Sequence, residues 1–204
     1  GAKLTNQGEF FHKSILGLYD VMQRLVERFP NVLFESCASG GNRYDLGMLC
    51  YMPQTWTSDD TDAFIRTFIQ EGTAYGYPVN TMGAHVSEVP NNQTLRTIGI
   101  DSRFNVASFG CLGYELDLRE VTSAEKKAVK CQVQFYKKYR ETLQFGTYYR
   151  LTDGFQGNHA GWIAVSKDKK EAIAFYSTKI MIPNTESDVL RFKGLDENTV
   201  YRVR

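Results

Sequence analysis

Gln54-Thr55-Trp56-Thr57-Ser58-Asp59-Asp60-Thr61-Asp62 is the stretch from which the fold can be read. Gln54 to Ser58 reads as a strand ending in Asp59-Asp60, and a helix is expected from about Thr61 to Ala74. Phe64 with Phe68 and Ile65 with Ile69 are spaced to supply that helix with an apolar face. A short buried strand that delivers polar groups at its C-terminal end, just before a helix, marks a parallel α/β sheet.

The same unit recurs on both sides. Upstream, Phe11, Ile15, Leu18, Met22, Leu25 and Phe29 form one stripe of a helix over about Glu9 to Phe29, which Pro30 ends. Val32-Leu33-Phe34 then reads as a short strand leading into Glu35-Ser36-Cys37 and a turn at Gly40-Gly41. Downstream, Pro78 to Val89 is the next strand and loop, carrying Met82-Gly83-Ala84-His85-Val86-Ser87. A short helix is expected around Arg103 to Phe109, and Leu112 to Leu118 gives a fourth strand-like end. Thr122 with Glu125 forms a capping box, opening a helix through about Leu143 with Val129, Val133, Tyr136 and Leu143 as its stripe. This alternation fits half of a (β/α) barrel or of an open doubly wound sheet.

From about Phe145 the texture changes. Trp162 to Val165, Ala172 to Tyr176 and Val189 to Phe192 are short β-type runs, separated by turn signals at Ser166 to Lys170, Pro183-Asn184 and Gly194 to Asp196. They predict an antiparallel β-domain over 145–204 after an α/β part over 1–144.

Composition excludes several classes. The 204 residues carry 24 Lys and Arg against 23 Asp and Glu, a net charge of +1. That gives no electrostatic reason to expect nucleic acid or an anionic membrane as partner. No apolar run approaches the ~18 residues of a membrane span, and no signal peptide is read at the start of the chain. Cys37, Cys50, Cys111 and Cys131 form no CxxC pair and no regular framework, and His12, His85 and His159 lie near no cysteine cluster. Neither a metal site nor a disulfide scaffold is expected, and a reducing, cytoplasmic compartment fits best.

Three carboxylates fall within four positions at Asp59, Asp60 and Asp62. Asp60 or Thr61 can cap the helix, and Asp62 can favour its positive end. Asp59 stands at the strand's end, where barrel enzymes place catalytic groups. Trp56 is either core or a platform for a sugar ring. The glycines at 40 and 41 permit close backbone approach to a ligand, or simply make a turn. Cys37 has no neighbouring His in sequence to activate it as a nucleophile. His85 is either a hydrogen-bonded structural group or a residue lining the same barrel mouth, and Trp162 reads as β-domain core.

Taken together, Phe34-Glu35-Ser36-Cys37-Ala38-Ser39-Gly40-Gly41-Asn42-Arg43-Tyr44-Asp45, then Met52 to Asp62, then Met82 to Ser87, closely resemble the α-galactosidases of glycoside hydrolase family 36. Phe109-Gly110, Gly113 to Leu118 and Gln144 to Leu151 continue the resemblance, which runs through essentially the whole chain. It implies the C-terminal part of a (β/α)8 TIM barrel followed by part of an antiparallel β-sandwich domain. The implied activity is retaining hydrolysis of terminal α-D-galactosyl residues, as in melibiose and raffinose, without a cofactor.

Site residues follow from the same resemblance. The first Asp of the family's Thr-Ser-Asp segment is the acid/base, here Asp59. Cys37, Ala38, Ser39 and Gly40 match the segment that lines the galactose site, with Arg43 and Trp56 as further substrate-binding residues. Ala38 and Asn42 depart from the Ser and Gly common in relatives. The family's nucleophile is an Asp of a Lys-Trp-Asp strand preceding the first helix, and residues 1–8 supply none. The isolated chain is therefore expected to be inactive and to belong to a longer polypeptide, with relatives assembling as homo-oligomers, commonly tetramers. The alternatives are α-N-acetylgalactosaminidase or galactosyl transfer on the same scaffold, or a non-catalytic carbohydrate-binding module.

Overall fold

A computed structural model describes residues 6–37, 42–184 and 187–204. The chain opens with α1 (Gln7–Arg28), capped by the Asn6 side chain on the Glu9 amide. Then come β1 (Glu35–Ser36), α2 (Leu46–Leu49), β2 (Gln54–Trp56), α3 (Ala63–Thr73), β3 (Met82–Ser87), α4 (Ile100–Ala107), β4 (Cys111–Glu115) and α5 (Ser123–Phe145). β5 (Thr147–Arg150), β6 (His159–Val165) and β7 (Ala172–Thr178) follow.

β1 to β4 form one parallel sheet in the order β1-β2-β3-β4, and β5 to β7 a three-stranded antiparallel sheet. Consecutive order through four parallel strands is the arrangement of a barrel arc. An open doubly wound sheet instead reverses its order at a switch point. Among the described strands there is no such reversal, which fits the barrel arc.

The register explains why the two faces of the parallel sheet differ. Thr55 pairs with Met82, Ala84 with Leu112 and Val86 with Tyr114, so these residues share one face. Met82, Ala84 and Val86 are almost fully buried there. Trp56 pairs with Gly83, His85 with Gly113 and Ser87 with Glu115, which places the polar and aromatic groups on the opposite face.

Ala84 and Val86 belong to a single core with Ile100 and Phe104 of α4, Tyr136 and Leu143 of α5, and Ala160, Trp162 and Phe175 of the antiparallel sheet. Trp162 stacks on Phe175 at 4.5 Å and meets Phe109 edge-on at 6.0 Å. The antiparallel sheet therefore packs on the helical layer behind the parallel sheet.

Several expectations are corrected. The first strand pairs through Glu35 and Ser36, one step beyond Val32 to Phe34, because only those residues come into register with Gln54 and Thr55. Val189 to Phe192 forms no strand, and Val189 is 79% exposed. An apolar run becomes a strand only against a partner edge, and none lies beside it among the described residues.

The face that α3 buries is not Phe64, Ile65, Phe68 and Ile69, all only half-buried, but Ala63, Arg66, Thr67, Gln70 and Glu71. Specific bonds draw this polar face inward. Gln70 donates to the Val106 carbonyl at 2.9 Å, and Glu71 accepts from the Gly154 amide at 3.0 Å. α1 buries none of its residues, leaving Phe11 63% and Ile15 47% exposed.

Candidate active site

The polar face of the parallel sheet converges at the C-terminal ends of β2, β3 and β4. Two glycines make this possible. A Cβ at Gly113 would lie 2.6 Å from His85 Cδ2, and one at Gly83 only 3.1 Å from Trp56 Cε3. With both positions bare, the His85 ring stacks on Trp56 at 4.3 Å, and its Nδ1 lies 3.2 Å from Glu115 Oε2.

Asp59 sits in the loop from β2 to α3 and is the one exposed residue between Thr55 and Ala63. Its Oδ1 accepts from the Trp56 indole N–H at 3.1 Å, and its carbonyl accepts from Gln93 Nε2 at 3.2 Å. Together with Trp56, Ser87, Gln93 and Glu115 it lines a cleft of about 510 Å³. A second cavity, of about 470 Å³, lies between α4, α5 and β7 around Phe104, Phe135 and Phe175. Parallel sheets place chemistry at their strand ends, which singles out the Asp59 cleft.

The helix cap is Asp62, rather than Asp60 or Thr61. Its Oδ1 accepts from the Phe64 and Ile65 amides at 2.8 and 3.1 Å. Arg96 Nη1 lies 2.6 Å from the same oxygen, and Thr94 donates to Oδ2 at 2.5 Å. Burial pushes the Asp62 carboxyl up, but the bonds from Thr94, the Ile65 amide and Arg96 outweigh it and hold the group below the usual carboxylate range.

Arg66, one turn into α3, is only 2% exposed. It donates to Thr57 Oγ1 at 2.9 Å, to the Asp60 carbonyl at 2.7 Å and to the Ser58 carbonyl. Its guanidinium lies 4.2 Å from the centre of the Trp56 ring. Burial lowers its pKa to about 10, against the opposing pull of Asp60, Glu115 and Asp59.

Asp59 and Trp56 are thus brought together at the cleft, and of the two readings of Trp56 the ring takes that of core. A sugar platform needs an open ring face, and this indole is 8% exposed between His85 and Arg66. Its polar edge is turned to Asp59 instead. Ala38, Ser39 and Gly40 lie outside the described residues. Cys37 and Arg43 flank that segment and are exposed, and neither is among the described residues around the Asp59 cleft.

Sequence reasoning left Glu115 and Arg66 without roles. The strand-end rule that singled out Asp59 applies equally to Glu115. A charged residue one turn after a helix cap, by contrast, normally reads as solvated surface. Among the described residues no group of three or more His, Cys, Asp or Glu is arranged to hold a metal ion, and no helix is long and apolar enough to cross a membrane.

Comparison with known proteins gives concordant results. Residues 1–146 match the melibiase family, and residues 159–204 the glycosyl hydrolase family 36 C-terminal domain. Alpha-galactosidase AgaA of Geobacillus stearothermophilus is 51% identical over 197 residues, covering 97% of this chain and 27% of that protein. Alpha-galactosidase 1 of Pediococcus pentosaceus is 48% identical, covering 82% and 23% respectively. The crystal structure of AgaA superposes with a TM-score of 0.90 at 52% identity, over 92% of this chain and 26% of that one. Substituted forms of AgaA have been crystallised in complex with raffinose and with stachyose. The chain spans about a quarter of the length of these relatives.

Proposed function

This chain belongs to the melibiase family, glycoside hydrolase family 36, and on that premise we propose that it forms part of a retaining α-galactosidase in which Asp59 is the general acid/base. One observation carries the assignment. Asp59 is an exposed carboxylate just beyond the C-terminal end of a parallel strand and, unlike Glu115 across the same cleft, it is held by the Trp56 indole N–H.

A retaining glycosidase works with two carboxyl groups roughly 5 Å apart. One attacks the anomeric carbon while Asp59 protonates the departing oxygen. Asp59, now a carboxylate, then takes a proton from the water that releases the sugar. The chain covers about a quarter of its relatives' length. The nucleophile is accordingly assigned to the longer polypeptide, on the strand preceding α1. The uncovered apolar stripe of α1 supports this, since upstream barrel elements would bury it.

Terminal α-galactosides of the raffinose type are the proposed substrates, in keeping with the sugars named for the AgaA complexes. Cys37 and the residues after it are proposed to line the galactose subsite with Arg43. Trp56 takes a supporting role rather than that of an open platform. A reducing, cytoplasmic setting fits the four cysteines, which are unpaired. Homo-oligomeric assembly of the complete protein is proposed on the family resemblance.

The test compares hydrolysis of an α-galactosyl disaccharide, whose leaving group needs the proton, by the complete polypeptide, its Asp59→Asn variant and this chain alone. The expected result is turnover by the first, a loss of about 100-fold or more in the second and none by the third. Turnover by the short chain would contradict the placement of the nucleophile. Preference for an N-acetylgalactosaminide, or galactose binding without turnover, would favour the other readings of the scaffold.

A further inference from the structure

Arg66 is a buried cation with no ion pair among the described residues, a costly arrangement for folding alone. Its hydrogen bonds go to Thr57, Ser58 and Asp60, the residues on either side of Asp59. Its guanidinium also packs on Trp56, whose N–H holds the Asp59 carboxylate at 3.1 Å. One planar fork therefore fixes both the backbone that carries Asp59 and the ring that orients it. A lysine has one point of attachment and cannot reproduce this pattern.

We propose that Arg66 is a positioning residue for the acid/base, fixing the Thr57–Asp60 turn and Trp56 so that the Asp59 carboxyl meets the departing oxygen; this rests on the assignment of Asp59 above. In the first step the nucleophile's carboxylate bonds to the anomeric carbon. The bond to the leaving oxygen breaks with its electron pair on that oxygen, which takes the proton from Asp59. A proton donor must lie within about 2.6–3.2 Å of the atom it protonates, and a displacement of about 1 Å can cost on the order of 100-fold. A leaving group that departs readily as an anion does not need the proton, so it is indifferent to where Asp59 sits.

The experiment measures kcat/KM of the complete enzyme for an α-galactosyl disaccharide and for dinitrophenyl α-galactoside, in wild type, Arg66→Lys, Thr57→Val and Asp59→Asn. Arg66→Lys should lose about 100-fold on the disaccharide and under about 5-fold on the dinitrophenyl substrate. Thr57→Val should show the same pattern more weakly. The ratio of the two substrates is internal to each variant, so a reduced amount of folded enzyme cancels. Equal losses on both substrates, or no loss on either, would overturn the role of Arg66. If Asp59→Asn itself shows no dependence on the leaving group, the acid/base assignment fails, and the role of Arg66 falls with it.

Discussion

Asp62 and Asp59 are three positions apart on one loop, and their surroundings differ sharply. The Asp62 side chain is fully buried, tied to two amides of α3, to Thr94 and to Arg96. Asp59 is exposed, with the Trp56 indole on one oxygen. Replacing Asp62 by Ala in the complete protein should cost about 1–2 kcal/mol for the cap alone, read as a lower denaturation midpoint. The folded-state pKa of Asp62 is depressed, so its contribution is present above the unfolded value of about 3.9 and lost as pH falls through the folded one. Wild type should therefore lose more stability than Asp62→Asn in urea titrations taken from pH 5 downward. Which of Asp60, Thr61 and Asp62 caps α3 was not legible from sequence, because all three residue types cap well. The choice is made by Thr94 and Arg96, which arrive from a distant loop. The capping box at Thr122 and Glu125 needs no such partner, and it forms as read.

The strands and helices show the same division between local and distant causes. α1 and α5 form helices over nearly the spans their 3.6-residue patterns predict, and α5 buries Tyr136 and Leu143 of its stripe. α3 turns a polar face inward, because Arg66, Gln70 and Glu71 each find a hydrogen-bond partner outside their own helix. Periodicity cannot reveal partners of that kind. β3 was readable as a strand, but the common face of Trp56, His85 and Glu115 depends on register, which a one-residue slip would invert. That face makes a sharp demand at Gly113, where an added Cβ would lie 2.6 Å from His85 Cδ2. Gly113→Ala should displace His85 from Trp56 and Glu115 and cost about 1–3 kcal/mol. Tryptophan fluorescence and the thermal midpoint of the complete protein would both report it, and an unchanged spectrum would argue against the stack.

At the scale of the whole molecule, one core joins the barrel arc to the antiparallel sheet through α4 and α5. A buried carboxylate adds a second tie. Glu71 of α3 accepts from the Gly154 amide in the loop between β5 and β6, and its other oxygen has no hydrogen-bond partner among the described residues. Burial raises its pKa, against the Gly154 bond and nearby Lys179. A raised carboxyl contributes most stability below the unfolded value and loses it as pH rises through the folded one. Glu71→Gln should therefore gain stability relative to wild type between pH 5 and pH 8. A constant difference in melting temperature across that range would show that Glu71 keeps its ordinary affinity for the proton. The barrel-type alternation and the later β-texture were both legible in the sequence. The interlock between them was not, since Glu71 and Gly154 are 83 positions apart and neither carries a local signal.

The central claim, that Asp59 donates and recovers the proton while another carboxylate attacks the sugar, is tested most directly by azide rescue of Asp59→Asn in the complete enzyme. Azide needs no general base, so it can displace the nucleophile's carboxylate from the galactosyl-enzyme when Asp59 cannot activate water. Using dinitrophenyl α-galactoside as donor, the account predicts azide-accelerated turnover and a galactosyl azide of α configuration, formed by two inversions. A β-galactosyl azide would mean a single inversion and would identify Asp59 as the nucleophile, contradicting the account.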